Sequence, residues 1–132
     1  MNYNEMKVLL VDDDPDFIEQ QKALLNAIGF QVVCASGETE AARILNTFKP
    51  DLAVLDLMME KMDGGFVLAY QIKKMYPETP IIMTTAVTNI TGMEFDATTK
   101  EERSWIKADV ILPKPVRFEQ LKGEINRLFS RS

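Results

Sequence analysis

Five short apolar runs recur along the chain, at 6–11, 31–35, 52–55, 81–84 and 110–112. Each is rich in Val, Ile or Leu and lacks strict apolar/polar alternation. Runs of that kind read as strands covered on both faces, as in a parallel sheet. Between them the apolar positions change to helical spacing. Asp14 can N-cap a helix that has Pro15 at its first position, with Phe17, Leu24, Leu25 and Ile28 along one face and Gly29 as the stop. Ala41, Leu45 and Phe48 make a second stripe. Gly64 and Gly65 open a third helix carrying Phe66, Ala69, Tyr70 and Met75 and closed by Pro77, and Phe118, Leu121, Ile125 and Leu128 define the last. Strand and helix alternating in this way predict βα units and an α/β fold on a parallel sheet. One crossover, 87–107, breaks the rhythm: periodicity fades over 88–96 and resumes after Thr99, whose spacing to Glu102 is that of a capping box.

Composition narrows this picture. With 132 residues, 46% of them apolar, the chain suits one domain over 1–132, with 1–5 as a short tail and no length for an output domain. A net charge of −5 argues against nucleic-acid or anionic-membrane binding through bulk charge. The single cysteine, Cys34, has no internal disulfide partner and reads as a small core residue of a reducing compartment. The N-terminus lacks a signal-peptide pattern, and no apolar stretch approaches the roughly 20 residues that span a bilayer, so a cytoplasmic protein is expected. Histidine is absent, which excludes imidazole metal ligands and a phosphohistidine on this chain. Any phosphoryl donor is then another molecule.

The chemistry sits where the apolar runs stop. The first ends in Asp12, Asp13 and Asp14, the third in Asp56, the fourth at Thr85, and Lys114 follows the fifth. All these ends lie at the carboxyl edge of a parallel sheet, the edge that holds ligands in open α/β folds. Two carboxylates about 4 Å apart repel by roughly 4 kcal/mol at an effective dielectric near 20, so Asp12, Asp13 and Asp56 together call for a hard cation. Magnesium suits oxygen ligands and an incoming phosphate. A carboxylate beside it can attack phosphorus, and an ammonium and a hydroxyl, Lys114 and Thr85, can stabilise the oxygens that arrive. Asp14 reads as a helix cap. An EF-hand is excluded because Phe17 and Ala23 stand where its loop needs glycine and glutamate. Trp105 reads as an anchor for the irregular crossover.

These residues resemble the receiver domain of two-component response regulators, in particular its stand-alone, chemotaxis-receiver-like members. The run from Val8 to Pro15 resembles the acid-pair motif. The run from Asp51 to Met59, followed by Met62-Asp63-Gly64, resembles the phosphoacceptor motif. The runs from Pro80 to Ala86 and from Ala108 to Pro115 resemble the hydroxyl and lysine motifs. The resemblance implies a flavodoxin-like, doubly wound sheet of order 2-1-3-4-5 with helices on both faces. It implies Asp56 as phosphoacceptor, Lys114 and Thr85 as readers of the phosphate, and magnesium, with manganese able to substitute. Asp13, Asp56 and the Met58 carbonyl would hold the ion, with Asp12 acting through water. The implied partners are a histidine kinase or histidine phosphotransfer protein as donor and a downstream protein as target, with the chain a monomer or a phosphorylation-dependent dimer. It would be no enzyme beyond its own phosphorylation and dephosphorylation. Glu60 stands where the family commonly has proline, Ile111 where many members carry an aromatic, and 87–107 is longer than usual. With Met58 and Val87 flanking the water path, hydrolysis is expected to be slow. Signalling is expected to run through 87–107 and the final strand and helix. Two other classes are a haloacid-dehalogenase-like phosphatase with Asp12 as nucleophile and a receiver-like interaction module that is never phosphorylated.

Overall fold

The computed structural model describes residues 3–57, 64–86 and 108–130. Met58, Glu60, Val87, Trp105 and the whole 87–107 crossover therefore lie outside the described residues. Within them the order is β1 (Lys7–Val11), α1 (Pro15–Ile28), β2 (Gln31–Ala35), α2 (Glu38–Leu45), β3 (Leu52–Asp56), α3 (Gly64–Met75), β4 (Ile81–Thr85), β5 (Val110–Pro113) and α4 (Phe118–Phe129). The five strands form one sheet of order β2-β1-β3-β4-β5, every pairing parallel. This is the doubly wound, flavodoxin-like arrangement expected.

Because side chains alternate along a strand, one sheet presents two cores. Val8, Leu10, Leu52, Val54 and Ile82 face Phe17 and Leu25 of α1 and Leu121 and Ile125 of α4. Leu9, Val11, Ala53, Leu55, Ile81 and Met83 face Ala41 and Leu45 of α2 and Leu68, Ala69 and Ile72 of α3. Leu9, Leu10, Leu55, Ile81 and Ile82 are wholly buried, and burying each side chain of this kind contributes about 1.5–3 kcal/mol. The expectation that all five strands are covered on both faces needs correcting: β1, β3 and β4 are nearly sealed, whereas the edge strands β2 and β5 are only partly covered.

The caps of α1 follow local chemistry. The Asp14 carboxylate accepts from the amides of Asp16 at 3.0 Å and Phe17 at 3.4 Å, Pro15 opens the helix, and Gly29 ends it at φ 127°, a conformation that favours glycine. Three expected faces differ from those observed. In α3 the buried row is Leu68, Ala69 and Ile72, while Tyr70 and Met75 stand 55% and 44% exposed. Position 70 lies about 100° around the helix from 69 and rotates off the sheet-facing row, whereas Met75 points within about 20° of Leu68 but is the last residue of α3, where the cover ends. In α1 the inward row includes Gln21, which is 1% exposed. Phe48 lies past the end of α2 but still packs on the second core. Tyr3, in the expected tail, is buried: its ring stacks on Phe30 at 4.7 Å and its hydroxyl donates to Asn126 Oδ1 at 2.7 Å.

Candidate functional site

Parallel pairing brings the carboxyl ends of β1, β3, β4 and β5 to one edge. Val11 is in register with Leu55, and Asp56 with Thr84, so Asp12 and Asp56 leave neighbouring strands at the same height. The turn after β1 is held tightly, with the Asp14 amide donating to Asp12 Oδ1 at 2.8 Å. The end of β3 is closed down by α3. Leu57 N–H donates to Thr84 O at 2.7 Å, Gly65 N–H donates to Leu57 O at 3.1 Å, and α3 thus begins directly against the strand end. A Cβ on Gly65 would strike the Asp56 carbonyl oxygen and come within 2.7 Å of Leu57 Cα and 2.8 Å of Leu57 O, so a hydrogen is all that fits there.

Asp12, Asp13 and Asp56 each offer a carboxylate oxygen to one group whose atoms lie within 4.8 Å of one another. Asp12 is fully buried and Asp56 4% exposed, while Asp13 lies open to solvent. Lys114 reaches in from the end of β5. Its ammonium stands 2.8 Å from Asp12 Oδ2 and 3.6 Å from Asp56 Oδ1. Both oxygens of Asp12 thus carry a hydrogen bond, one from a backbone amide and one from the ammonium. The Lys114 amide donates to Thr85 O at 2.7 Å, which ties the lysine to the end of β4, and Lys114-Pro115 is a cis peptide.

Among the described residues the formal charges of this group, three acids to one lysine, do not balance. Two carboxylates at the 4.8 Å limit repel by about 3–4 kcal/mol at an effective dielectric near 20, and Lys114 is the only cation within ion-pairing distance among the described residues. A hard divalent ion answers such a set. Magnesium takes oxygens at about 2.1 Å in octahedral geometry, so ligands across the ion stand about 4 Å apart, close to the spacing available here. The donor set fits that metal, and carboxylate oxygens with no nitrogen or sulfur suit magnesium or manganese better than zinc.

Of the residues expected at the site, Asp12, Asp13, Asp56 and Lys114 stand together. Thr85 is buried at the end of β4, bonded through its carbonyl to Lys114 N–H, and the Met58 carbonyl lies outside the described residues. Thr84, which the sequence left as a strand residue, is the register partner of Asp56, and its hydroxyl donates to Leu55 O at 3.4 Å. Two contributors were not legible as such. Gly65 read as a helix opener, although its closeness to Asp56 is what it supplies. Phe17 read as one apolar position of α1, and its ring also lies 4.1 Å from Lys114 Nζ. A glycine pair after a phosphoacceptor run hints at the first; no local signal marks the second.

Comparison with known proteins agrees with this geometry. Residues 8–126 match the family described as the response regulator receiver domain. The Escherichia coli transcriptional regulatory protein GlrR is 40% identical over 86 residues, covering 65% of this chain and 19% of that protein. The probable transcriptional regulator ycf27 of Cyanophora paradoxa is 33% identical over 136 residues, covering 100% of this chain and 52% of that protein. The chain therefore spans about half or less of the length of these relatives. Among solved structures, a response regulator receiver domain protein from Clostridium thermocellum superposes with a TM-score of 0.77 at 29% identity, over 96% of this chain and 95% of that one. The response regulator TrrA of Thermotoga maritima, solved with magnesium and beryllofluoride, gives 0.76 at 27% identity, over 93% and 98%. Among the described residues no helix is long and apolar enough to cross a membrane.

Proposed function

The chain belongs to the response regulator receiver domain family of two-component systems, and on that premise we propose that it accepts a phosphoryl group on Asp56 in a magnesium-dependent reaction. The observation that carries this reading is the gathering of Asp12, Asp13 and Asp56 within 4.8 Å around one lysine. An Asp56 carboxylate oxygen attacks the phosphorus of a phosphohistidine on a histidine kinase or phosphotransfer protein. The new P–O bond forms as the donor's P–N bond breaks, its electron pair returning to the imidazole. Asp13, Asp56 and the Met58 carbonyl would hold the ion, which would neutralise the phosphoryl oxygens; manganese, of similar ligand preference, would substitute. Asp12, with both oxygens engaged, acts through water and anchors Lys114. The Lys114 ammonium then bonds the arriving phosphoryl oxygens, and Thr85 donates its hydroxyl to another.

The chain turns over no outside substrate: its chemistry is confined to gaining and losing its own phosphoryl group. The exchange would take place in the cytoplasm. The signal passes by phosphorylation-dependent association, either with a downstream protein or with a second copy of the chain. The transcriptional regulators it resembles make a transcriptional output one form that association can take. Intact-mass spectrometry after incubation with acetyl phosphate tests the reading. A single phosphoryl adduct should form with magnesium, vanish with chelator, and be missing in Asp56→Asn. Equal labelling of that variant would move the nucleophile elsewhere, to Asp12 in a phosphatase-like mechanism.

A further inference from the structure

Among the described residues the Lys114 ammonium meets three groups, and only two of them are carboxylates. Its ammonium lies 2.8 Å from Asp12 Oδ2, 3.6 Å from Asp56 Oδ1 and 4.1 Å from the centroid of the Phe17 ring. Phe17 is 7% exposed and the Lys114 side chain 17%, so water is largely excluded from between them. The ring is itself held by the site's own loop. Asp12 Oδ1 accepts from the Asp14 amide, and Asp14 Oδ1 accepts from the Phe17 amide, a relay of two hydrogen bonds from the carboxylate to the aromatic residue. We infer that Phe17 is the positioning residue for Lys114, its ring face confining the ammonium at the mouth of the acidic pocket so that it meets the arriving phosphoryl group without a search.

Two carboxylates alone would leave a four-carbon side chain free to swing along the line between them. The negative face of the ring closes the third side, and a part-buried cation in that position gains about 1–2 kcal/mol. Confinement before the reaction counts toward rate, because donors already aimed where charge arrives need no rearrangement as it arrives. The ring contributes no ligand oxygen, so metal binding should be indifferent to it.

This inference rests on the phosphoacceptor reading, and two measurements separate their failures. In the first, Phe17 is replaced by phenylalanines carrying one, two or three ring fluorines, which drain the face of negative charge while nearly preserving shape. The rate of magnesium-dependent labelling by acetyl phosphate should fall stepwise with fluorine number, with magnesium affinity and thermal midpoint unchanged. Phe17→Leu should label about fivefold more slowly, the equivalent of ~1 kcal/mol, and Phe17→Tyr should restore most of the rate. In the second, proton NMR of the unphosphorylated protein should show the Lys114 ε-methylene shifted upfield by the ring, and the shift should vanish in Phe17→Leu. A flat fluorine series, or an unshifted ε-methylene, overturns the inference. If the unmodified protein takes no phosphoryl group, the reaction reading itself fails, and with it the role in rate, while the Lys114 resonance still decides whether the contact exists.

Discussion

Aspartates stand at both edges of the same sheet, and the two edges use them in opposite ways. At the amino edge, Asp51 precedes β3 and Asp109 precedes β5. Each donates its amide to the neighbouring strand's first carbonyl, Asp51 to Lys7 O and Asp109 to Ile81 O, both at 2.8 Å. Each then takes that same residue's amide on its carboxylate, again at 2.8 Å. Asp109 also accepts from the Lys73 ammonium at 3.1 Å, and that ammonium donates to Thr79 O at 2.8 Å. These acids are satisfied by the chain itself and fix the strand register. At the carboxyl edge, three acids crowd within 4.8 Å around Lys114. Residue type is the same in both places. What separates a clip from a site is the crowding of like charge: each clip acid stands against donors of its own, while the site gathers three carboxylates in one group.

The largest expected effect comes from the residue that creates the crowding. Gly65→Ala would drive a methyl group into the Asp56 carbonyl and the Leu57 backbone, and neither can yield without lifting α3 off the strand end. The variant should lose about 3 kcal/mol of stability by denaturant titration and should take up phosphoryl groups poorly. A fully stable, fully labelled Gly65→Ala would show that the close approach does not build the site. Next in size is the amino edge. Asp109→Ala removes the acceptor from a backbone amide and an ammonium together and should cost about 2–3 kcal/mol, while Asp51→Ala, with one partner at an exposed position, should cost about 1 kcal/mol. Neither should change magnesium affinity or labelling. If either did, the two edges would not be independent.

Much of the carboxyl edge was legible because its cues are local. Apolar runs ending in Asp12-Asp13 and Asp56 mark strand ends without any knowledge of the fold, and the Asp14-Pro15 cap depends on four consecutive residues, 14–17. The amino-edge clips were not legible. Asp51 and Asp109 act on Lys7 and Ile81, residues far away in sequence, and only the parallel register brings them together. The same holds for Phe17 beneath Lys114. Helix faces were read less well than strands: in α3 apolar side chains stand all around the helix, so Tyr70 competed on equal terms with Leu68 and Ile72 until the sheet chose the row, and Met75, on the Leu68 side, is left uncovered at the helix end. Gln21 was passed over because polarity argues for exposure, although its helix position faces the core. The expected output route through 87–107 lies outside the described residues.

The carboxyl edge gathers three carboxylates whose mutual repulsion a cation would relieve. Denaturant unfolding of Asp56→Asn, followed in chelator and again in magnesium, tests that relief directly. Asp56 is 4% exposed, with one ammonium at 3.6 Å and two further carboxylates in the same 4.8 Å cluster, and each like-charge pair at that limit repels by about 3 kcal/mol at an effective dielectric near 20. In chelator the variant should be more stable than the unmodified protein by about 1–2 kcal/mol, and saturating magnesium, which binds the native site and not the unfolded chain, should shrink or reverse that gain. A variant less stable in chelator, or a difference that magnesium leaves untouched, would contradict the account.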